Sequence, residues 1–375
     1  MSQTSKRALA RVMVTVIAVL AMTWAFVPTA LGDTAAGLTY TIKDGDYGYG
    51  AYVTDCDSIT PVIPNQLGGA DVVEAKLTSK GLTALDVSAA SHLVHLSCSN
   101  NKLTALDVSH NANLAVLGCS SNLLTALDVS HNASLVTLGC LENQIESITF
   151  GSNSALEDVT CTSNNLSSID LSGLPALEVL YLTDNHLSSI DTSHNPVLKK
   201  LVVSANANIT DIDVSANTEL ENLGFSKCGV SSVDVSGCPN LVNLACDQNK
   251  FTKLDVSQNQ ALQKLYCYNN QLTTLDVSQN TELIDLECDG NDLTALDVSQ
   301  NTQLIDLNCQ GMSLGTIDIS NNPELESLIV DNTGISSLDV SDKAELDYLD
   351  CSSNNLTSID VSACTGLDQL FCQNN

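Results

Sequence analysis

Leu93-x-x-Leu96-x-Cys98-x-x-Asn101-x-Leu103-x-x-Leu106-Asp107-Val108-Ser109-x-Asn111 is the stretch on which the reading of this chain turns. The pattern returns from Leu114, Leu135, Leu156 and Leu177, each 21 residues on. One extra residue enters near Ala205 to Ile209, and further copies then run from Leu220 to Leu367. A degenerate first copy starts near Val72. Leu96 and Cys98 alternate with Ser97, the period-two pattern of a strand with one buried face. One copy cannot bury that face alone. Stacking copies in register buries a continuous core and builds a parallel sheet.

Each unit also echoes itself. Leu93-x-x-Leu96-x-Cys98-x-x-Asn101 is followed by Leu103-x-x-Leu106-x-Val108-x-x-Asn111, so a second short extended segment is expected at Leu106 to Val108. The Leu-x-x-Leu-x-Leu-x-x-Asn/Cys-x-Leu consensus is the leucine-rich-repeat signature. The nested unit resembles the bacterial IRREKO class of leucine-rich repeats and, more loosely, secreted internalin-like surface proteins. The expected fold is a leucine-rich-repeat solenoid, mainly β, a parallel sheet of about 14 stacked 21-residue coils closed by an N-terminal β cap. The resemblance covers roughly residues 72–375.

The segments before the array differ from it. Lys6, Arg7 and Arg11 precede an apolar run from Val12 to Val27, and Ala30-Leu31-Gly32 supplies small residues where a signal peptidase cuts. Residues 1–32 therefore read as an export signal, removed after Gly32. Residues 33–71 hold four of the eight tyrosines. Leu38 to Ile42 and Ala51 to Thr54 read as strands joined through Lys43-Asp44-Gly45-Asp46, a cap for the first coil. Residues 72–375 are the solenoid. The last copy stops on the Asn column at Asn375, so a truncated chain is expected, with a cap, anchor or further domain beyond it.

Without residues 1–32 the chain keeps 11 Lys and no Arg against 44 acids, a net charge of −33. Nucleic-acid binding needs clustered cations to neutralise phosphate, and none are present. An anionic membrane surface is disfavoured for the same reason, and no stretch after the leader is long and apolar enough to be inserted.

The regular columns read as scaffold. Ten of the 14 Cys, from Cys98 to Cys372, occupy the third apolar position, where other copies carry Leu77, Leu182, Val203, Phe225 or Val330. Cys there acts as a small buried hydrophobe. Parallel side chains in a straight column suit neither a disulfide nor a four-ligand metal site. Cys56 alone has no assigned role. Asp86, Asp107, Asp128 and onward to Asp360 share one outward column, with Thr149 the exception. Stacked carboxylates repel, and nearby Ser hydroxyls or turn amides are expected to offset this. Weak association of divalent cations with the Asp column is the alternative. The Asn101 column is expected to satisfy corner backbone.

No residues with catalytic spacing appear, and no catalytic, cofactor-binding or metal-ligating residue is assigned. Three of the six histidines, His110, His131 and His194, share a variable column that holds Gln258, Gln279 and Gln300 in later copies. Ligands of a solenoid meet the outward positions of its main sheet. These are small in early copies, as in Gly118, Ser120 and Gly139, and richer later. Lys264, Tyr266 and Tyr268 lie beside Asp285, Glu287 and Asp289, then Asp306 and Asn308, with Tyr348 further on. Exposed aromatics among polar groups mark binding surfaces. The expected function is recognition or adhesion, secreted or at the cell surface, of a protein or glycan ligand outside the cell. The alternative is a recognition module of a larger secreted enzyme or effector whose catalytic domain lies beyond residue 375.

Overall fold

A computed structural model describes residues 33–35 and 37–375. The expected export segment, residues 1–32, lies outside the described residues. The chain opens with β1 (Asp33–Ala35), β2 (Leu38–Gly45), β3 (Gly48–Cys56), β4 (Gln66–Leu67) and β5 (Ala70–Lys76). Three-residue strands follow: β6 (His95–Ser97), β7 (Val116–Gly118), β8 (Ala126–Asp128), β9 (Thr137–Gly139), β10 (Ser147–Thr149), β11 (Asp158–Thr160) and β12 (Val179–Tyr181). The series continues through β13 (Lys200–Val202), β14 (Asn222–Gly224), β15 (Asn243–Ala245), β16 (Lys264–Tyr266) and β17 (Asp285–Glu287). It ends with β18 (Asp306–Asn308), β19 (Ser327–Ile329), β20 (Tyr348–Asp350) and β21 (Gln369–Phe371). No helix occurs among the described residues.

From β5 onward one parallel strand comes from each coil, about 15 in all, the successive copies of the repeat. Register is set by like residues. Leu96 pairs with Leu117 and Leu117 with Leu138, and the same holds for Leu265, Leu286 and Leu307. A one-residue slip would turn each Leu to solvent and each outward residue inward. Leu93, Leu96, Cys98, Leu103 and Val108 are all fully buried. Fully burying one such Leu or Val contributes about 1.5–3 kcal/mol.

The second segment of each coil behaves less uniformly than expected. Leu106 and Val108 point inward and Asp107 outward, as an extended segment requires. Among the described residues a ladder forms only between β8 and β10, where Ile148-Thr149 replaces the usual Leu-Asp. Two adjacent β-branched residues favour the pleated conformation there.

The hairpin β2–β3 extends the same sheet: β3 lies parallel to β5, and β1 is the outer edge. Its turn falls at Asp46 and Tyr47, one or two residues later than the sequence suggests, because Asp44 still pairs with Tyr49 and Gly45 with Gly48. Gly48 takes φ 87°, which the tight reversal needs.

Two asparagine columns tie each coil to its predecessor. Asn122 accepts the Leu103 N–H at 3.0 Å and donates to the Cys98 and Cys119 carbonyls at 3.1 and 3.0 Å. Asn132, in the second column, donates to the Val108 and Asn111 carbonyls, both at 2.9 Å. Its Oδ1 accepts nothing from the protein, as is true of Asn111, Asn195, Asn259, Asn280, Asn301 and Asn322. Asn153 explains why. Its Oδ1 takes the Gly151 N–H at 2.7 Å, in the one coil where Thr149 replaces Asp. Elsewhere the Asp claims the equivalent N–H, as Asp107 does from Ser109 at 2.9 Å.

Candidate recognition face

Three outward positions per coil make the face of the main sheet: the residues before and after the central Leu, and the one following the buried Cys. In β16 these are Lys264 and Tyr266, with Tyr268 beyond the strand. In β17 they are Asp285 and Glu287, followed by Asp289, and in β18 Asp306 and Asn308. The ladder sets Lys264 opposite Asp285 and Tyr266 opposite Glu287, then Asp285 opposite Asp306 and Glu287 opposite Asn308. Neighbouring strands lie about 4.8 Å apart, so these side chains form one contiguous strip.

Neutral donors hold the outer acids. Tyr266 Oη donates to Asp285 Oδ2 at 2.6 Å, with Lys264 Nζ at 3.8 Å from the same oxygen. Asn308 Nδ2 donates to Asp289 Oδ1 at 3.1 Å. The Glu287 carboxylate, between them, accepts no hydrogen bond among the described residues, while its backbone carbonyl takes the Cys267 N–H at 2.9 Å. Burial, and after it the charges of Asp285 and Asp289, push its carboxyl up to about 8. Burial first, with the charges of Asp247 and Asp331 behind it, raises Asp289 to about 6. Tyr266 is also raised, by burial first and by Asp285 next. A carboxylate forced toward neutrality inside a hydrogen-bonded cluster is a marker of functional surfaces.

Tyr348 of β20 does not join this group. Ser327 and Ile329 of β19 separate it from β18, and its ring meets Phe371 instead, at 5.7 Å between centroids. The face also contains a residue the columns did not reveal. Asp247, just past β15, is only 4% exposed. The Ser226 hydroxyl donates to it, and Gln248 Nε2 donates to its Oδ2 at 3.2 Å. Burial raises its carboxyl as well. Asp247 precedes Tyr268 in its column, where earlier coils carry Ser204 and Ser226; that change from Ser to Asp was the available signal.

The opposite end of the face holds a separate cluster. Tyr47 stacks edge-on against His95 at 5.2 Å, and buried Glu74 pairs with Lys76 at 2.5 Å. Burial lowers the His95 imidazole.

The cysteine column runs through the core behind the face. Cys98, Cys119, Cys140 and Cys161 are buried thiols, and burial pushes Cys98 up to about 12. A thiol with so little thiolate is a poor nucleophile and packs as an apolar side chain. Among the described residues no three His, Cys, Asp or Glu side chains are arranged to hold a metal ion.

No protein-family model matches the chain, and no curated protein does. Solved structures do. The functional domain of InlJ from Listeria monocytogenes, which includes a cysteine ladder, is 35% identical with a TM-score of 0.67. The match covers 76% of this chain and 59% of that one, so this chain spans somewhat over half of the InlJ domain's length. A leucine-rich-repeat protein of Leptospira interrogans is 22% identical, with a TM-score of 0.73, over 81% of this chain and 91% of that one. YopM of Yersinia pestis is 20% identical, with a TM-score of 0.68, over 84% and 85%. The last two share the fold alone.

Proposed function

We propose, on the premise that this chain is an internalin-like leucine-rich-repeat protein, that it is a non-catalytic recognition or adhesion protein acting outside the cell. Residues 1–32 direct export, residues 33–71 cap the array, and residues 72–375 present the binding face. The ligand is a protein or glycan, and it meets the outward face from β15 to β18. Lys264, Tyr266, Tyr268, Asp285, Glu287, Asp289, Asp306 and Asn308 contact it, over the buried Asp247.

One observation carries this reading. The repeat keeps its inward positions apolar, while Tyr266 and Glu287 stand side by side on adjacent strands with Asp285 and Asp289 around them. Two aromatic side chains beside partly buried polar groups are the composition of binding hot spots. The likeness to InlJ supports a surface role. The test is binding of the intact chain to an array of proteins and glycans. Tyr266→Ala with Tyr268→Ala is expected to lower the signal of a true ligand about a hundredfold. An undiminished signal, in a variant whose circular dichroism matches the parent, would discard the strip.

A further inference from the structure

The strip is a sheet face whose charge is unbalanced. From β15 to β18 it presents Asp247, Asp285, Glu287, Asp289 and Asp306 against Lys264 alone. This is not a general property of the sheet. The equivalent positions of β6, β7 and β9 carry Ser97, Gly118 and Gly139, with no acid among them. Nor are the acids equivalent. Neutral donors of the protein itself orient Asp247, Asp285 and Asp289. The Glu287 carboxylate lies in the middle of them and receives no donor among the described residues.

We infer that the partner is a protein segment bearing lysine or arginine side chains, one of which seats against Glu287 between β16 and β18. This rests on the recognition reading above and names the chemistry of its ligand. Charge complementarity selects the sign of the partner. The tyrosines select its form: Tyr266 and Tyr268, both partly buried, put aromatic surface beside the acids, which suits a guanidinium or ammonium and the alkyl stem that carries it. A bare metal ion fits less well, since among the described residues no three ligating groups converge and three of the carboxylates already spend oxygens on neutral donors.

The seat is linked to protons. The groups facing Glu287 are Lys264, Tyr266 and Tyr268 on the β16 side, Asp285 and Asp289 on its own strand and its extension, Asp306 on β18, and Asp247 one coil further. All of the acids raise the carboxyl of Glu287, which sits near 8 in the free protein. A cation in contact favours the ionised form. Binding therefore expels a proton near neutral pH, and the affinity climbs as the pH rises toward and past 8.

Calorimetric titration of the intact chain tests this, at 0.15 M salt and at pH 6.0 and 8.5. The probes are an acetyl-(Gly-Arg)4-amide peptide, its (Gly-Gln)4 counterpart, and calcium chloride alone. The arginine peptide is expected to bind one per chain, about tenfold tighter at pH 8.5 than at 6.0. Glu287→Gln should remove that pH dependence, and Asp276→Asn with Asp297→Asn, on the corner column, should leave it intact. Equal binding by Glu287→Gln, equal binding at the two pH values, or loss of binding in the corner variant overturns the inference. Saturable calcium binding that Glu287→Gln abolishes overturns it too. An array ligand that Tyr266→Ala with Tyr268→Ala removes, and Glu287→Gln does not touch, sinks the cationic partner and leaves the recognition reading standing. A ligand indifferent to both variants takes the recognition reading down as well.

Discussion

Two rows of carboxylates run along this solenoid, and their surroundings push Asp276 of one and Glu287 of the other in opposite directions. At the corner, each Asp of the column accepts the N–H of the Ser two residues on. Ser109, Ser278 and Ser299 donate at 2.9 Å to Asp107, Asp276 and Asp297. The side chains are exposed. Hydrogen bonds from the Ser hydroxyl and amide hold their carboxyls below 3.8. On the sheet face the same residue types, at the same coil spacing, are partly buried. There Glu287 is driven up to about 8 and Asp289 to about 6. The difference lies in what each acid meets. A carboxylate with a backbone amide two residues away is part of the turn. One enclosed without a donor is an unmet demand that a partner can satisfy.

The contrast can be broken experimentally, most strongly through binding. Replacing Tyr266, Tyr268 and Glu287 together should reduce ligand affinity by about a hundredfold or more. Replacing Asp255, Asp276 and Asp297 with Asn should keep it within about twofold. Equal losses would erase the distinction between the rows.

Stability against pH comes next. Glu287 has a raised value in the folded chain, so its contribution is fully present below its ordinary 4.5 and is lost as the pH rises toward 8. Glu287→Gln should then raise the melting temperature by about 2–4 °C at pH 9 and leave it unchanged at pH 4. The corner runs the other way. Asp276 has a lowered value, so its contribution is present above 3.8 and fades as the pH falls through the folded value. Asp276→Ala should lower the melting temperature by roughly a degree at pH 7 and by nothing measurable at pH 2.

The smallest effect sharpens the account of the corner itself. Thr149→Asp supplies the missing member of the column. The Gly151 N–H that it would capture is already held by Asn153 Oδ1, so one hydrogen bond replaces another. The melting temperature should move by less than about a degree. A large stabilisation would mean that Asp does more at the corner than claim that amide.

How much of this was legible beforehand depends on whether a residue acts through its column or through its neighbours. Leu96, Cys98 and Asn122 act through their columns, and their burial and bonding followed from periodicity alone. Asp107 was placed outward and paired with its Ser by the same reasoning. The strip from Lys264 to Asn308 could be drawn by counting along the columns. Composition alone puts Tyr348 in the strip, whereas counting strands sets it two steps from β18 and beside Phe371. Asp247 was missed because its burial comes from Ser226 and Gln248 around it, and no single column encodes that. The second segment was expected in every coil from the echo in the sequence. Among the described residues a ladder forms there only between β8 and β10, and β10 is where Ile148 and Thr149 set two β-branched residues side by side.

The asparagine ties have a consequence for how such a chain can change. Asn122 and Asn132 reach only into their own coil and the one before it. Even the longer coil keeps to this rule: Asn217 stretches to the Thr192 and Asn195 carbonyls, while Leu201 still pairs with Leu223. Each such bond spans neighbouring coils alone, so gain or deletion of a whole 21-residue unit leaves every other seam as it was. The distance between the two ends of the molecule is thus a quantity that inheritance can adjust in steps, without redesigning what lies between.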